Sequence, residues 1–386
     1  MRKLAVLIFI VLLYKSAYSE TVLSSEEIYR INGAQVFVLD EKYKGNLDLF
    51  FKEVKSKGIN TVFFRVFHNS KDRSHFNMPV PCESGVYFKT DYACTVNDLL
   101  KDMVEYAHKN NIKLYAWMAT RSLSFLKTED NMSMSLSAEG EDIKGYGANI
   151  FKKNVRETLL NLFKDLAEYN IDGILFQDDF IIKYTEGSDK YAAPLFKEET
   201  GIDVKKENFF KNIKEYNGRK VFSEYTDNFY VWAEWKNSQL ALLFKELKES
   251  AKTVNPKIKF AANVYYETPI DEAAAISWYS QRLSTLKQSG ADYFAVMGYS
   301  EQISSEQKLD RVSTASLIGR IAEKAVQQAG NEKAVIMKLQ TRSFNGKGML
   351  DYEDFKLVCR QIKLAGNVST AVVPVFSSDD IYVCPK

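Results

Sequence analysis

The sequence predicts an α/β fold, a closed (β/α)₈ barrel of the TIM type, on three observations. Eight runs of β-branched and aromatic residues alternate with longer segments of helical period over about 340 residues. Strand–helix repeats imply right-handed parallel crossovers. No Gly-rich turn follows the first run: Val38-Leu39-Asp40-Glu41-Lys42-Tyr43 cannot wrap a pyrophosphate, which disfavours the alternative of a doubly wound open sheet.

The strand runs are Gln35–Asp40, Thr61–Phe67, Lys113–Met118, Gly173–Asp179, Lys259–Tyr265, Tyr293–Tyr299, Ala334–Thr341 and Thr370–Phe376. Between them, apolar residues at i, i+3, i+4 spacing predict helices over 46–57, 95–110, 152–169, 232–254, 275–289, 307–329 and 351–364. Only about ten residues follow the eighth run, so the last outer helix is missing or comes from segment 20–34. Two long connections, 68–94 and 180–231, follow runs two and four and belong to the rim where barrels place their active sites.

Of the 386 residues, 46% are apolar and 26% charged, enough for a large core and incompatible with a disordered or disulfide-stapled mini-protein. Lys plus Arg exceed Asp plus Glu by 52 − 50 = +2, which suggests no nucleic-acid partner. Arg2 and Lys3 precede the apolar run Leu4–Tyr14 and the small-residue site Ala17-Tyr18-Ser19, so residues 1–19 read as a secretory signal; left uncleaved, the run would act as an anchor. The expectation is an exported protein, periplasmic or secreted, with segment 20–34 leading into a barrel domain 35–386 and no membrane span once the signal is removed. Export permits disulfides, and of the three pairings open to Cys82, Cys94, Cys359 and Cys384, the first with the second and the third with the fourth need the shortest loops. Three His and no metal-type Cys spacing suggest no metal or other cofactor.

If each strand ends where its hydrophobicity ends, the mouth collects Asp40, Arg65, His68, Trp117, Arg121, Asp178, Asp179, Asn263, Tyr265, Tyr299, Gln340, Arg342, Phe376 and Asp379. Aromatic faces with carboxylates and amides suit a carbohydrate, since rings stack on sugar C–H surfaces and polar groups take hydroxyl or amine hydrogens. The sharpest feature is Asp172-Gly-Ile-Leu-Phe-Gln-Asp-Asp-Phe180, a buried-type strand ending in two adjacent acids. Such a pair raises the pKa of one member, as a general acid near neutrality requires; the structural alternative is a cap or a partner for Arg65 or Arg121. Strict strand alternation turns Asp179 inward and Asp178 outward. Trp232 and Trp235 read as core, Trp278 as core or sugar platform, loop Phe344 as a platform, and His68 and His75 as solvated loop residues.

These segments resemble the C-terminal domain of bacterial poly-β-1,6-N-acetylglucosamine deacetylase, placed in glycoside hydrolase family 153. The resemblance rests on ordered motifs: Gly85-Val-Tyr-Phe88, Leu114-Tyr-Ala-Trp-Met118, Asp172 to Asp179, Trp235-Lys236, Ala261-Ala-Asn-Val264, Ser277-Trp-Tyr279, Met297-Gly-Tyr299, Leu339-Gln-Thr-Arg342 and Pro374 to Asp379. It implies a (β/α)₈ domain that cleaves partly deacetylated poly-N-acetylglucosamine endolytically. The family's acids fall on Asp178 and Asp179, the first most tied to activity. Its groove aromatics fall on Trp278 and, where the family has Trp, on Phe344; its strand-five Asn falls on Asn263, and a loop Tyr on Tyr146. Gln177 stands where the family has His, and no counterpart of the metal-dependent deacetylase domain is recognised. The rival expectation is a barrel that binds exopolysaccharide or biofilm polymer without turnover.

Overall fold

The computed structural model describes residues 28–76, 80–216 and 219–385. Eight parallel strands close a barrel in chain order: β1 (Asn32–Val36), β2 (Thr61–Arg65), β3 (Lys113–Met118), β4 (Gly173–Phe176), β5 (Lys259–Val264), β6 (Tyr293–Gly298), β7 (Val335–Gln340) and β8 (Ser369–Val375). Closure runs through β1 and β8, with Asn32 opposite Thr370 and Ala34 opposite Val372. Outside lie α1 (Leu47–Ser56), α2 (Leu99–Lys109), α3 (Lys153–Ala167), α4 (Asp227–Lys252), α5 (Leu283–Gln288), α6 (Arg311–Ala329) and α7 (Tyr352–Lys363).

The in-register neighbours identify the lumen residues. Gly33 faces Ala371, Phe63 faces Tyr115, Leu175 faces Ala261, and Met297 faces Lys338. Tyr115, Tyr293 and Tyr29 contact edge to face across the N-terminal end and close it. Gly173 leaves room for this layer, because a Cβ there would run into the Tyr115 ring.

Several boundaries differ from the sequence expectation. β1 begins at Asn32 because Gly33, a poor strand former, is what fits beside Phe63; residues after Val36 leave the ladder. The segment 275–289 divides into Glu272–Tyr279 and α5, with left-handed Ser280 between them. In the same way 307–329 divides, with Asp310 capping α6. The connection after β3 holds a hairpin, Met132–Leu136 with Asp142–Ala148, that periodicity did not suggest. The connection after β4 forms a helix (Ala192–Thr200), a hairpin and a second apolar cluster around Phe196, Phe209, Phe222, Trp232 and Trp235.

Among the described residues no α-helix follows β8. A short turn, Ser378–Asp380, packs on α1, where the Ser378 hydroxyl donates to Glu53 (2.8 Å). The tail then places Tyr382 against Tyr352 and Phe355, and Cys384 is bonded to Cys359 of α7. Cys82 is bonded to Cys94. The signal and most of segment 20–34 lie outside the described residues. Two disulfides fit an exported protein, and no helix among the described residues is long and apolar enough to cross a membrane.

Candidate active site

The acid pair divides its roles because the ladder stops at Phe176, two residues short of it. Residues 178 and 179 form a turn, so strand alternation no longer governs them. Asp179 is buried and accepts from the Thr120 amide (2.8 Å), the Thr120 hydroxyl (3.2 Å) and the Ser122 amide (2.6 Å). Its carboxylate is a clamp between the β3 and β4 ends. Asp178 is half-buried, with no side-chain hydrogen bond to any described residue. Burial pushes its carboxyl up, Lys338 pulls it down and Asp179 adds a smaller upward push. The expectation that Asp179 is the acid turned to the lumen is therefore corrected: Asp178 is the one that faces Lys338.

Tyrosines and one amine surround Asp178. The Tyr265 hydroxyl lies 3.4 Å from the Asp178 carbonyl, and its ring stacks on Tyr279 at 3.9 Å. Tyr146, from the hairpin after β3, lies close enough to both acids for their charges to raise its phenol further above its buried value. Its backbone amide is fixed by Glu186 (2.8 Å), and Lys183 lies over its ring. Tyr299 is buried, its phenol raised by burial and by Asp178. Lys338, unnoticed in the sequence, donates to Asn263 Oδ1 (3.0 Å) under the Tyr299 ring. Its signal was legible: a Lys inside Val-Ile-Met-Lys-Leu-Gln, at a lumen position of β7.

Two aromatic walls flank this centre. On one side a cleft of about 640 Å³ is lined by Phe37, Phe344, Phe376, Asp40, Asp379 and Arg73, among others. Phe344 is 46% exposed and touches the Tyr299 ring edge-on at 5.1 Å, so the cleft wall continues to the residues around Asp178. On the other side Trp278 is 46% exposed and packs on Tyr184, an available platform rather than core. Asp379 is exposed beside Lys42 (3.3 Å), and Asp40 caps the turn Glu41–Tyr43.

Other expected rim residues lie beneath the surface. Arg65 is buried and engaged by Asp72 (3.3 Å) and the Arg73 carbonyl (2.6 Å), so it braces a loop instead of meeting substrate. Trp117 is buried between Phe37 and Phe67, forming floor rather than wall. Gln340 is buried on Glu301 (3.1 Å), and Asn263 serves Lys338. Arg121 pairs with Glu186 (2.8 Å) and with neither Asp178 nor Asp179. His68 and His75 are buried, not solvated: His68 meets the Tyr87 hydroxyl (3.1 Å), and His75 accepts from the Leu39 amide (3.2 Å) while donating to the Arg65 carbonyl (3.0 Å). A larger cavity, about 760 Å³, lies at the opposite barrel end around Lys113, Asp172 and His108, at the face where barrels build stability rather than chemistry.

A closed parallel barrel with a half-buried, unpartnered acid and exposed aromatic platforms at its C-terminal mouth has the architecture of a glycoside hydrolase. The chain belongs to the family described as hypothetical glycosyl hydrolase family 13, whose model matches residues 37–372. No curated protein matches the sequence. Among solved structures, the PgaB (BpsB) glycoside hydrolase domain from Bordetella bronchiseptica is similar, with TM-score 0.71 and 18% identity over 90% of this chain and 95% of that one. A β-galactosidase from Bacillus circulans sp. alkalophilus (TM-score 0.58, 13% identity) shares the fold over 89% of this chain and 50% of its own. So does α-L-fucosidase isoenzyme 2 from Paenibacillus thiaminolyticus (TM-score 0.56, 11% identity), over 89% and 46%. The fold is that of the PgaB glycoside hydrolase domain, the (β/α)₈ barrel that the resemblance implied.

Proposed function

We propose that the protein is an exported endo-glycosidase acting on β-1,6-linked, partly deacetylated poly-N-acetylglucosamine or a related amino-sugar polymer of an exopolysaccharide or biofilm matrix. The observation that carries this reading is the division within the acid pair. Burial raises the Asp178 carboxyl, and no hydrogen bond from another described residue ties it down, the condition of a general acid that protonates a glycosidic oxygen. Asp179, buried and accepting from three donors, is given over to joining the β3 and β4 ends. Glu301 is held by Ser343 (2.9 Å) and Gln340 (3.1 Å). We take the nucleophile to be the substrate's own acetamido oxygen, which would attack the anomeric carbon as the bond to the leaving oxygen breaks and Asp178 protonates that oxygen; Glu267, whose carboxyl burial raises and whose Oε2 is buried without a hydrogen-bond partner, is the carboxylate that could take its place. Trp278 and Phe344 would stack sugar faces, and Asp40 and Asp379 would attract the ammonium of deacetylated units.

The test is reducing-end release from partly deacetylated β-1,6 polymer. Oligosaccharide products with wild type and none with Asp178→Asn support the reading. Calorimetric binding of oligosaccharide without any product would establish a binding barrel instead.

A further inference from the structure

The amine beneath the acid is the largest feature the reading above leaves unused. Lys338 stands on β7, three strands from β4 around the barrel, and its amine reaches Asn263 of β5, the strand paired with β4 up to Ala262 opposite Phe176, which brings it to the end of β4 where Asp178 stands. Its in-register neighbours toward β1 are Ala371 and, beyond it, Gly33, small residues that leave room for a long side chain. The Lys338 residue is buried, yet no carboxylate among the described residues forms an ion pair with it. One N–H goes to Asn263 Oδ1 at 3.0 Å, and the ammonium lies 5.3 Å from the centre of the Tyr299 ring. Asn263 is itself held, because its carbonyl accepts from Gln281 (3.1 Å), which also accepts from Thr268 (3.3 Å). A buried cation fixed this firmly without a counter-ion in contact is costly unless its charge is used.

We infer that Lys338 is the positioning residue of the acid: fixed by Asn263 and Tyr299, its ammonium sets the strength with which Asp178 holds its proton. Facing Asp178 are Asp179 on its own turn, Lys338 from β7, Tyr146 from the hairpin after β3, Tyr265 after β5 and Tyr299 after β6. Lys338 is the one cation among them. Burial alone would leave Asp178 a weak acid; the ammonium opposes it and stabilises the carboxylate formed when the proton leaves. The effect is reciprocal, since burial lowers Lys338 and Asp178 opposes it, leaving the amine at about 7. The two groups titrate as a pair, and the cation half fades as the amine deprotonates.

The inference rests on the reading of Asp178 as the acid, but its test needs no substrate. Protein labelled with ¹³C at Asp carboxyls gives the Asp178 resonance, assigned by its loss in Asp178→Asn. In Lys338→Met the Asp178 midpoint should rise by about one pH unit, the lower end of what an adjacent opposite charge produces. In Lys338→Arg it should stay at or below the wild-type value. A midpoint unmoved or lowered in Lys338→Met overturns the inference. Should that variant not fold, the reciprocal measurement decides: labelled lysine in Asp178→Asn should show the Lys338 midpoint lowered, and an unchanged midpoint is equally fatal. On polymer, the alkaline limb of kcat/KM should move up in Lys338→Met. Titrations that move while no variant turns over polymer would uphold the pair and remove the glycosidase reading.

Discussion

Asp178 and Asp179 are neighbours in sequence with opposite duties, and the difference lies in what donates to each. Asp178→Asn should lower kcat by about 10²–10⁴-fold, the usual worth of a general acid, which takes reducing-end release below detection. It should leave the melting temperature unchanged or raise it. The sign follows from linkage: a carboxyl raised in the folded state stabilises below its unfolded pKa, and that contribution is lost as pH rises through the folded value. Removing the charge therefore helps at neutral pH. Asp179→Asn should do the reverse, losing about 1–3 kcal/mol of stability in a thermal or denaturant melt because donors of Thr120 and Ser122 lose an acceptor. Equal melting curves for both variants would contradict this division. The sequence showed the acid pair and its place on a strand end, but not its orientation, because alternation holds only while the ladder lasts. It showed Asn263 and Tyr299 as rim residues while concealing that they cradle Lys338, since charge partners across a lumen leave no mark in local spacing.

Among the elements, the hairpin after β3 depends on one buried ion pair. Glu186 accepts from Arg121, the Ser133 hydroxyl and the amides of Tyr146 and Lys183, tying the start of the β4 insertion to both hairpin strands. Burial would raise the Glu186 carboxyl, but Arg121 and these donors hold it at about 2. The stability it contributes is present above its unfolded value and is lost as pH falls toward about 2. Glu186→Gln leaves Arg121 buried with its charge uncompensated and should cost about 3–5 kcal/mol by denaturant melting at pH 7. It should also flatten the acid side of the stability profile; a loss below 1 kcal/mol would contradict the assignment, being what an exposed pair gives. This hairpin escaped the sequence because Met-Ser-Met-Ser-Leu alternates without strong hydrophobicity. Helices with clean apolar stripes, such as α1, α2, α3 and α7, were legible to within a few residues. The insertion's aromatic cluster was hidden by its spread over separate segments.

At the scale of the whole molecule, the barrel closes with no outer α-helix after β8 among the described residues, and the tail takes part of that place. Cys359–Cys384 spans 25 residues and pins the tail to α7. Replacing both cysteines by Ser should cost about 3 kcal/mol while leaving the barrel folded, readable as a lowered denaturant midpoint with native circular dichroism. Closure matters to function because it sets strands from opposite sides of the lumen against one centre: Asp178 after β4, Asn263 on β5, Lys338 on β7 and the Phe37 wall after β1. Eight repeats announced that architecture clearly, since periodicity is a property of the chain itself. Which side chains then meet in the mouth is a property of closure, and it became visible only in three dimensions.

The most direct measurement is turnover of partly deacetylated poly-β-1,6-N-acetylglucosamine by wild type, Asp178→Asn and Asp179→Asn, each confirmed folded and followed by reducing-end release and product size. The account predicts internal cleavage by wild type, none by Asp178→Asn, and residual cleavage by Asp179→Asn in proportion to its folded fraction. Full activity in Asp178→Asn would contradict it.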